Sequence, residues 1–389
     1  MRKKLIGIIL LFILLLLCAC KKEPKPVIIG LIEPLNGPHA VGGVQEQNGV
    51  MIAKDLRPMT GDRPIEIAPL DIGHIHNDDE KIKELVEVFL KEQKPIAIIG
   101  PYGSKNTASV LSALDESKIP LISPTSTRDS LANYQNFYRL IYTDNLQSTA
   151  LATFAVEQLN AHRVGVLVEE NNDYAINLAT EFEKVFGALC GKDSAVERIL
   201  YPAGTQDFNH FITTISKFEP DLIFAPGNAE TSLAIITQAH RLGVNQPFLG
   251  GDTWENPIFL SQQDENITSA IYFSALQKKA PIDDIALNRF TNMYFQRYSQ
   301  SASLNSELAY DAYNLIIDAI ENAESTESEK LNEAIKSTLN FAGISGNISF
   351  NDTNNSKRNV TIMTILNGQF ISAEISENSQ MQNNPDNTN

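Results

Sequence analysis

One supersecondary unit recurs along most of this chain and limits the folds that it can adopt. From Val27 onward, a run of four to six apolar residues is followed by a Gly/Pro/Asp/Asn turn and then by a segment with the apolar spacing of a helix. Such alternation places strands side by side in parallel, with helices on both faces of the sheet. The sequence therefore predicts an α/β protein built from doubly wound parallel sheets.

The pattern predicts two lobes, each with its own sheet. The strands predicted for the first lobe lie at 27–32, 65–70, 96–99 and 121–122. Those predicted for the second lobe lie at 164–168, 199–201, 222–225, 248–249 and, as an edge strand, 271–273. Three later helices should return to the first lobe, at 285–298, 307–323 and 331–339. The last strands should close the second sheet, at 344–350, 360–366 and 369–371.

These elements set the predicted domain boundaries. The N-terminal lobe comprises 27–144 with 277–343, and the C-terminal lobe comprises 145–276 with 344–373. Chain crossings near Asp144, Leu276 and Gly343 then form a multi-strand hinge between the lobes. Residues 374–389 are polar and lack any periodicity, which predicts a disordered tail.

The first twenty residues have the composition of an export signal. Three basic residues at 2–4 precede the uncharged run at 5–17, which is shorter than the ~20 residues that span a bilayer. The sequence Leu17-Cys18-Ala19-Cys20 resembles the bacterial lipobox. That resemblance implies a lipoprotein signal peptide at 1–19, diacylation of Cys20 and a lipidated tether at 20–26, with the protein anchored to the periplasmic or cell-surface face of the envelope. The alternative is an ordinary signal peptide with an incidental cysteine.

Charge and cysteine content narrow the function classes further. The net charge of −16 becomes −19 without the three basic signal residues, and no basic stripe is present, so nucleic acid is not an expected partner. Cys18 leaves with the signal and Cys20 carries the lipid, which leaves Cys190 without a disulfide partner. Cys190 is predicted to be a small buried or half-buried filler and not a nucleophile.

Catalytic and metal-binding signatures are missing from the sequence. It contains no G-x-S-x-G elbow, phosphate-binding loop, G-x-G-x-x-G or H-E-x-x-H. His74 and His76 form the only close histidine pair, with no further histidine or cysteine ligand nearby. We therefore predict no enzymatic activity, no metal site and no cofactor.

Two neighbouring strand-to-helix turns have the features of an anion site. One turn, at 100–104, follows the strand at 96–99, and the other, at 123–127, follows the strand at 121–122. Both present Ser/Thr hydroxyls and free backbone N–H groups at the carboxyl edge of the predicted sheet. Helix N-termini and hydroxyl donors at that edge suit a small carboxylate.

The chain also resembles a known family. The residues that carry the resemblance are Gly37-Pro38, Ile99-Gly100, Ile122-Ser123-Pro124, Gly250-Gly251-Asp252 and Ala309-Tyr310-Asp311-Ala312. They resemble the type I periplasmic solute-binding proteins, in particular the leucine/isoleucine/valine-binding proteins of ABC importers, over Val27 to about Ile371. The resemblance implies an exported monomer that captures a branched-chain or related amino acid by lobe closure and delivers it to an ABC transporter permease.

The resemblance also implies residue roles. The hydroxyls that hold the ligand's α-carboxylate fall on Ser104 and Thr127, and a backbone carbonyl for its ammonium falls on Ser126. The acidic partner of the ammonium falls on Asp252 in the other lobe, so that one zwitterion bridges both lobes. The alternatives are helix capping for Ser104 and Thr127, and a solvated turn for Asp252.

Selection of the ligand's side chain is less defined. Tyr174 matches a family tyrosine that packs on the ligand, whereas a family tryptophan falls on Gly42 and a second-lobe tyrosine falls on Asn228 or Ala229. Tyr102 and Trp254 are candidates to fill the resulting space. The alternative for Tyr174 is a core position at a helix start, and the alternative for Trp254 is a core or rim position. The added polarity of Asn228 widens the expected ligands to polar or larger amino acids and to related carboxylates or amides.

Two other functions share this fold. A lipoprotein activator of a cell-wall synthase would bind a partner enzyme through an outer surface, and a sensory protein would bind a ligand without transporting it. The activator hypothesis predicts that Ser104 and Asp252 are dispensable.

Overall fold

Residues 24–75, 78–114, 117–261, 270–277 and 285–373 are described by the computed structural model of the chain. The predicted signal peptide at 1–19, the predicted lipidation site Cys20 and the predicted tail at 374–389 lie outside these residues, as does His76. Within them, strands and helices alternate as the sequence predicts.

The strands, in chain order, are β1 (Val27–Glu33), β2 (Met59–Thr60), β3 (Arg63–Asp71), β4 (Ala97–Ile99), β5 (Leu121–Ser123), β6 (Phe137–Arg139), β7 (Arg163–Glu169), β8 (Ala195–Tyr201), β9 (Leu222–Phe224), β10 (Phe248–Gly250), β11 (Ile271–Leu276), β12 (Phe341–Gly343), β13 (Gly346–Ile348), β14 (Val360–Leu366) and β15 (Gln369–Ser372). The helices are α1 (Ala40–Leu56), α2 (Asp79–Gln93), α3 (Ser104–Leu114), α4 (Asp144–Glu157), α5 (Asp173–Cys190), α6 (Asn209–Ser216), α7 (Ala229–Arg241), α8 (Pro257–Ser261), α9 (Ile285–Tyr298), α10 (Leu304–Ala323) and α11 (Ser328–Lys336).

The first sheet has the strand order β2-β3-β1-β4-β5-β6 and is parallel except for β2. Because successive residues of a strand point to opposite faces, β1 contributes to two cores. Ile29 and Leu31 pack with α1 and α10 on one face, and Ile32 packs with α2 and α3 on the other. The return of α10 and α11 to this lobe confirms the prediction for the later helices.

Close contact between α1 and α10 depends on a glycine. A Cβ added at Gly49 would lie 2.1 Å from the carbonyl oxygen of Ser306, so no larger residue fits without separating the helices. The first-lobe core is therefore closed by a helix that arrives from more than two hundred residues further along the chain.

The second sheet has the order β15-β14-β11-β10-β9-β7-β8. Its central strands are parallel, and β14 and β15 are antiparallel additions at one side. Helices α4 and α5 cover one face and α6 and α7 the other. The edge position predicted for the strand at 271–273 is wrong, because β11 lies between β10 and β14.

The segment at 344–350 does not close the second sheet as predicted. Its residues belong to a separate hairpin, β12–β13, and Ile348 and Phe350 are buried in the first-lobe core, where Phe350 packs edge-on against Tyr138 at 5.4 Å. The predicted lobe boundary at 343/344 is therefore wrong, and the crossing lies at 351–359. An apolar alternation identifies a strand but not the sheet that it joins.

Two buried guanidinium groups hold the crossings together. Arg139 donates to the carbonyls of Ser126 at 3.0 Å and Arg128 at 2.8 Å, and also to Asn355 Oδ1 at 2.6 Å. Arg358 donates to the carbonyl of Leu140 at 3.1 Å. Burial lowers the pKa of both arginines to about 10, which leaves them charged at neutral pH.

The position of Cys190 agrees with the sequence. Cys190 is a half-buried free thiol against the second-lobe core, and burial raises its pKa, in agreement with the filler role. In the described ranges, no helix combines the length and apolar character needed to cross a bilayer. The same ranges contain no cluster of three or more His, Cys, Asp or Glu side chains suited to a metal ion.

Asp311 gives a test of the first-lobe packing. Its carboxylate is 1% exposed and accepts hydrogen bonds from the backbone N–H groups of Ile344 at 2.8 Å and Ser345 at 2.9 Å. We expect Asp311→Ala to lower the free energy of unfolding by about 2–4 kcal/mol, because it leaves these buried donors unpaired. Urea denaturation of the domain without its signal measures the change.

Asp318→Ala is the matched control on the same helix. Asp318 is 40% exposed and pairs with Arg57 at the surface, so its loss should cost less than about 1 kcal/mol. Equal losses in the two variants would contradict the assigned role of Asp311.

Candidate functional site

A cleft lies where the carboxyl ends of the two sheets face each other. It takes in about 1240 Å³, including its mouth, and residues of both lobes line it. The first-lobe wall includes Gly42, Gln45, Tyr102, Ser104, Thr125, Thr127, Ile141, Leu304 and Leu308. The second-lobe wall includes Glu169, Asn172, Tyr174, Asn228, Glu230, Asp252, Thr253 and Glu255. Ligand sites of α/β proteins occur at this edge of the sheet because the strand-to-helix turns converge there.

Ser104 and Thr127 line this cleft, and neither caps a helix. Ser104 begins α3, but its Oγ accepts the backbone N–H of Arg128 on the neighbouring turn at 3.3 Å. Thr127 is 1% exposed, and its Oγ1 has no hydrogen-bond partner of good geometry, although it lies near enough to Asp144 to act on that carboxyl. Both residues therefore lie at the cleft wall without serving as helix caps.

Ser126 does not line the cleft, unlike its two neighbours. Its hydroxyl lies 2.7 Å from that of Thr107, and its carbonyl accepts a hydrogen bond from Arg139 at 3.0 Å. The role predicted for this carbonyl, as a ligand of the ammonium, is not supported by its position. Successive residues of an extended turn point to opposite sides, so Thr125 and Thr127 face the cleft and Ser126 faces the protein.

Asp252 lies in the cleft on the second-lobe wall. Its Oδ1 accepts a hydrogen bond from the Tyr174 hydroxyl at 2.6 Å, and its backbone N–H donates to Gln147 Oε1 at 2.8 Å. Burial raises the pKa of Asp252, and the Tyr174 hydroxyl partly offsets that rise. The structure thus brings together Ser104, Thr127, Tyr174 and Asp252, and Asp252 is not a solvated turn residue.

Tyr102 and Trp254, the two candidate aromatics, occupy different environments. Tyr102 lines the cleft and fills the space beside Gly42, where an added Cβ would lie 2.5 Å from its ring. Trp254 is fully buried in the second-lobe core, stacked on Phe259 at 5.0 Å, so its predicted contact with a ligand is wrong. Gly250 permits this packing, because a Cβ there would lie 2.1 Å from the indole.

Asn228 has two structural roles. Its Oδ1 caps α7 by accepting the backbone N–H of Thr231 at 2.8 Å, and the residue also lines the cleft. The predicted polarity at this position is therefore present, with its oxygen already engaged.

A buried carboxyl pair behind the first-lobe wall was not predicted. Glu33, at the end of β1, and Glu46, on α1, are both 0% exposed. Glu33 accepts the backbone N–H of Tyr102 at 2.9 Å, and Glu46 accepts the hydroxyl of Thr125 at 2.5 Å. Sequence reasoning missed the pair because glutamates are mostly exposed, although an acid that ends an apolar strand before Pro34 is an available signal.

One ion pair joins the two lobes beside the cleft. Arg128, directly after Thr127, contacts Asp173 at the start of α5 at 2.8 Å. This pair links the turn that carries Thr127 to the second lobe through side chains that are partly exposed to water. Within the second lobe, Asn177 Nδ2 on α5 donates to Oδ2 of the buried Asp144, at the start of α4, at 2.5 Å.

The buried carboxyls make stability depend on pH. Burial raises the pKa of Glu46 and of Asp144 to about 7, and it also raises the pKa of Glu33, Asp252 and Asp311. The folded protein therefore binds more protons than the unfolded chain between about pH 4.5 and 7, so the free energy of unfolding should fall as pH rises. Each fully linked group contributes about 1.4 kcal/mol per pH unit in that range.

We expect urea denaturation to give a free energy of unfolding that is several kcal/mol lower at pH 7.5 than at pH 5. Glu46→Gln should reduce this slope, whereas Glu84→Gln, on the exposed side of α2, should leave it unchanged. A free energy of unfolding that rises over this range would show that the carboxyls are stabilised as anions instead.

Comparison with known proteins agrees with this architecture. The sequence model of the periplasmic binding protein family matches residues 26–369. Leu/Ile/Val-binding protein BraC3 of Rhizobium johnstonii is 24% identical over 340 residues, which cover 84% of this chain and 88% of that protein.

Solved structures show the same two-lobe fold. The leucine-binding protein LivK of Thermotoga maritima matches with a TM-score of 0.79 and 27% identity, over 89% of this chain and 97% of that one. The branched-chain amino acid transporter substrate-binding protein LivJ of Streptococcus pneumoniae, in complex with isoleucine, matches with a TM-score of 0.78 and 24% identity, over 90% and 98%. Since the family model spans most of the chain, this protein belongs to the periplasmic binding protein family.

Proposed function

We propose that this protein is an extracytoplasmic receptor that captures a branched-chain or related amino acid between its lobes and delivers it to an ABC importer. The observation that carries the proposal is the placement of Asp252 in the same cleft as the hydroxyls of Ser104 and Thr127. Relatives named for binding leucine, isoleucine and valine support the ligand class.

The two walls differ in the charge that they favour. Ser104 and Thr127 offer hydroxyl groups near the start of α3, where the helix dipole and free N–H groups favour a carboxylate. Asp252 offers a carboxylate whose burial is unfavourable without a cation nearby. An α-amino acid supplies both charges at the required ends, and its hydrogen bonds to charged groups are roughly twice as strong as neutral ones.

The first-lobe wall also presents apolar surface to a side chain. Val41, Ile141, Leu304 and Leu308 lie along it, together with the ring of Tyr102. An aliphatic side chain packed there would remove apolar area from water, at about 25 cal/mol per Å². This surface favours a branched-chain amino acid, and Asn228 on the facing wall leaves room for a related polar ligand.

Lobe closure follows from a ligand that contacts both walls. Because each lobe holds half of the polar site, the ligand binds the closed arrangement with more contacts than the open one and shifts the population toward it. The crossings at 140–144 and 351–359 are the segments that would absorb the rotation, and Arg139 and Arg358 keep them aligned.

Isothermal titration with L-leucine, L-isoleucine, L-valine and the other protein amino acids tests the site. Ser104→Ala should weaken binding by about 10- to 100-fold, since it removes one hydrogen bond to a charged group worth roughly 1.5–3 kcal/mol. Asp252→Asn should weaken binding at least as much, because it removes the carboxylate that is assigned to pair with the ligand's ammonium.

Two variants of the same chemistry serve as controls. Ser112→Ala on the exposed side of α3 and Asp193→Asn at the second-lobe surface lie outside the cleft and should bind as the unmodified protein does. Full affinity in both Ser104→Ala and Asp252→Asn would reject the site. If the unmodified protein binds no amino acid and a pull-down with it recovers a cell-wall synthase, the activator function would be favoured instead.

We further propose that Cys20 carries the lipid that holds the receptor at the cell envelope. Labelled palmitate should enter the protein expressed in bacteria, and the label should be lost in Cys20→Ala, which should also leave the membrane fraction. Cys18→Ala is the matched control and should keep the label. Label that persists in Cys20→Ala would contradict the lipobox interpretation.

A further inference from the structure

The buried pair Glu33 and Glu46 lacks one hydrogen-bond donor. One oxygen of each carboxyl is satisfied, by the backbone N–H of Tyr102 and by the hydroxyl of Thr125. The other two, Glu33 Oε1 and Glu46 Oε2, are buried without a partner, while the two side chains lie within hydrogen-bonding contact of each other. Because two carboxylates cannot donate to each other, a hydrogen bond between these side chains requires a proton on one of them.

The pKa of Glu33 lies well above its usual value because of burial and the neighbouring charge of Glu46, and burial also raises the pKa of Glu46. The pair therefore holds at least one proton near neutral pH. Glu46 is the member whose protonation acts on the cleft, because its side chain accepts the hydrogen bond from the Thr125 hydroxyl.

The pair is connected to the cleft through Thr125. When Glu46 is ionised, the Thr125 hydroxyl donates to it at 2.5 Å and presents only lone pairs to the cleft. When Glu46 is neutral, it can donate to Thr125 Oγ1, and the Thr125 hydroxyl proton is free to turn toward the cleft. Thr125 lies on the same turn as Thr127, on the wall assigned to the ligand's carboxylate.

We propose that the amino acid binds with uptake of one proton by Glu46, which turns the Thr125 hydroxyl into a donor for the ligand's carboxylate. The inference rests on the proposed function and makes Glu46 a positioning residue that acts through Thr125. Protonation of Glu46 also removes a negative charge behind the wall that receives the ligand's carboxylate. The new donor and the lost charge both make proton uptake and ligand binding favour each other.

Other titratable groups lie on the elements packed against the pair. Asp71 lies opposite Glu33 on β3, Glu307 lies at the start of α10, and His39 precedes α1. Burial raises the pKa of the Tyr102 hydroxyl, and the negative charges of Asp252 and Glu230 across the cleft raise it further. None of these replaces the contact between Thr125 and Glu46, which is the link between the pair and the cleft.

Asp144 is the competing source of a proton linkage. Burial raises its pKa to about 7, and it lies near Thr127 and accepts a hydrogen bond from Asn177. A test of Glu46 must therefore separate the two carboxyls.

Calorimetry of the unmodified domain provides the first measurement, with L-leucine as the first probe and the other protein amino acids after it. At pH 7.5 the observed binding enthalpy should increase with the ionisation enthalpy of the buffer, because the buffer releases the proton that the protein takes up. The dissociation constant should rise on the order of tenfold between pH 6.5 and 8, as expected for one linked proton.

Glu46→Gln provides the second measurement, because a neutral amide can donate permanently to Thr125. Its affinity should stay constant over this pH range, close to that of the unmodified protein at pH 6. Glu84→Gln removes the same charge from an exposed site on α2 and should retain the full pH dependence.

The outcomes separate the inference from the function on which it rests. Amino acid binding without net proton uptake overturns the inference and leaves the receptor function standing, whether or not Glu46→Gln folds. A pH slope that persists in Glu46→Gln assigns the proton to another group such as Asp144 and also overturns the inference. An unmodified protein that binds no amino acid at any pH overturns the proposed function and the inference together.

Discussion

Parallel strands bring the strand-to-helix turns of each lobe to one edge of its sheet, and the rest of this structure depends on that constraint. The turns after β4 and β5 place Ser104 and Thr127 on one wall, and the turn after β10 places Asp252 on the other. Each residue follows a different strand, so no local segment could assemble the cleft by itself. Only the two sheets together, with their carboxyl edges facing each other, bring these three residues to one cleft.

The cleft region contains more buried carboxyl groups than its cations can neutralise. Glu33, Glu46, Asp144 and Asp252 are all shifted toward the neutral form by burial. Hydroxyl and amide donors compensate part of the cost, as Tyr174 does for Asp252 and Thr125 does for Glu46. Burial of the Asp252 carboxylate in the second wall is unfavourable without a cation nearby, and under the proposed function the ligand's ammonium is that cation.

Two buried arginine side chains hydrogen-bond to the backbone of the segments that cross between the lobes. Arg139 and Arg358 donate to carbonyls of the crossings and of the turn that carries Thr127. Guanidinium groups suit this position because they offer several donors in a fixed plane and remain charged when buried. The same contacts that align the crossings also position the first-lobe wall, which couples the geometry of the site to the arrangement of the lobes.

Local patterns in the sequence determined the elements, their alternation and the turns that carry Ser104, Thr127, Tyr174 and Asp252, because apolar periodicity and turn chemistry are encoded within a few residues. They did not determine that 344–350 joins the first lobe, that Trp254 lies in a core or that the Ser126 carbonyl belongs to Arg139. They also gave no sign that Glu33 and Glu46 meet, since these residues come from a strand and a helix that only the packing of α1 on the sheet brings together. Which sheet a strand joins, and whether a polar side chain is buried, depend on contacts between residues far apart in the chain, and those the tertiary structure alone decided.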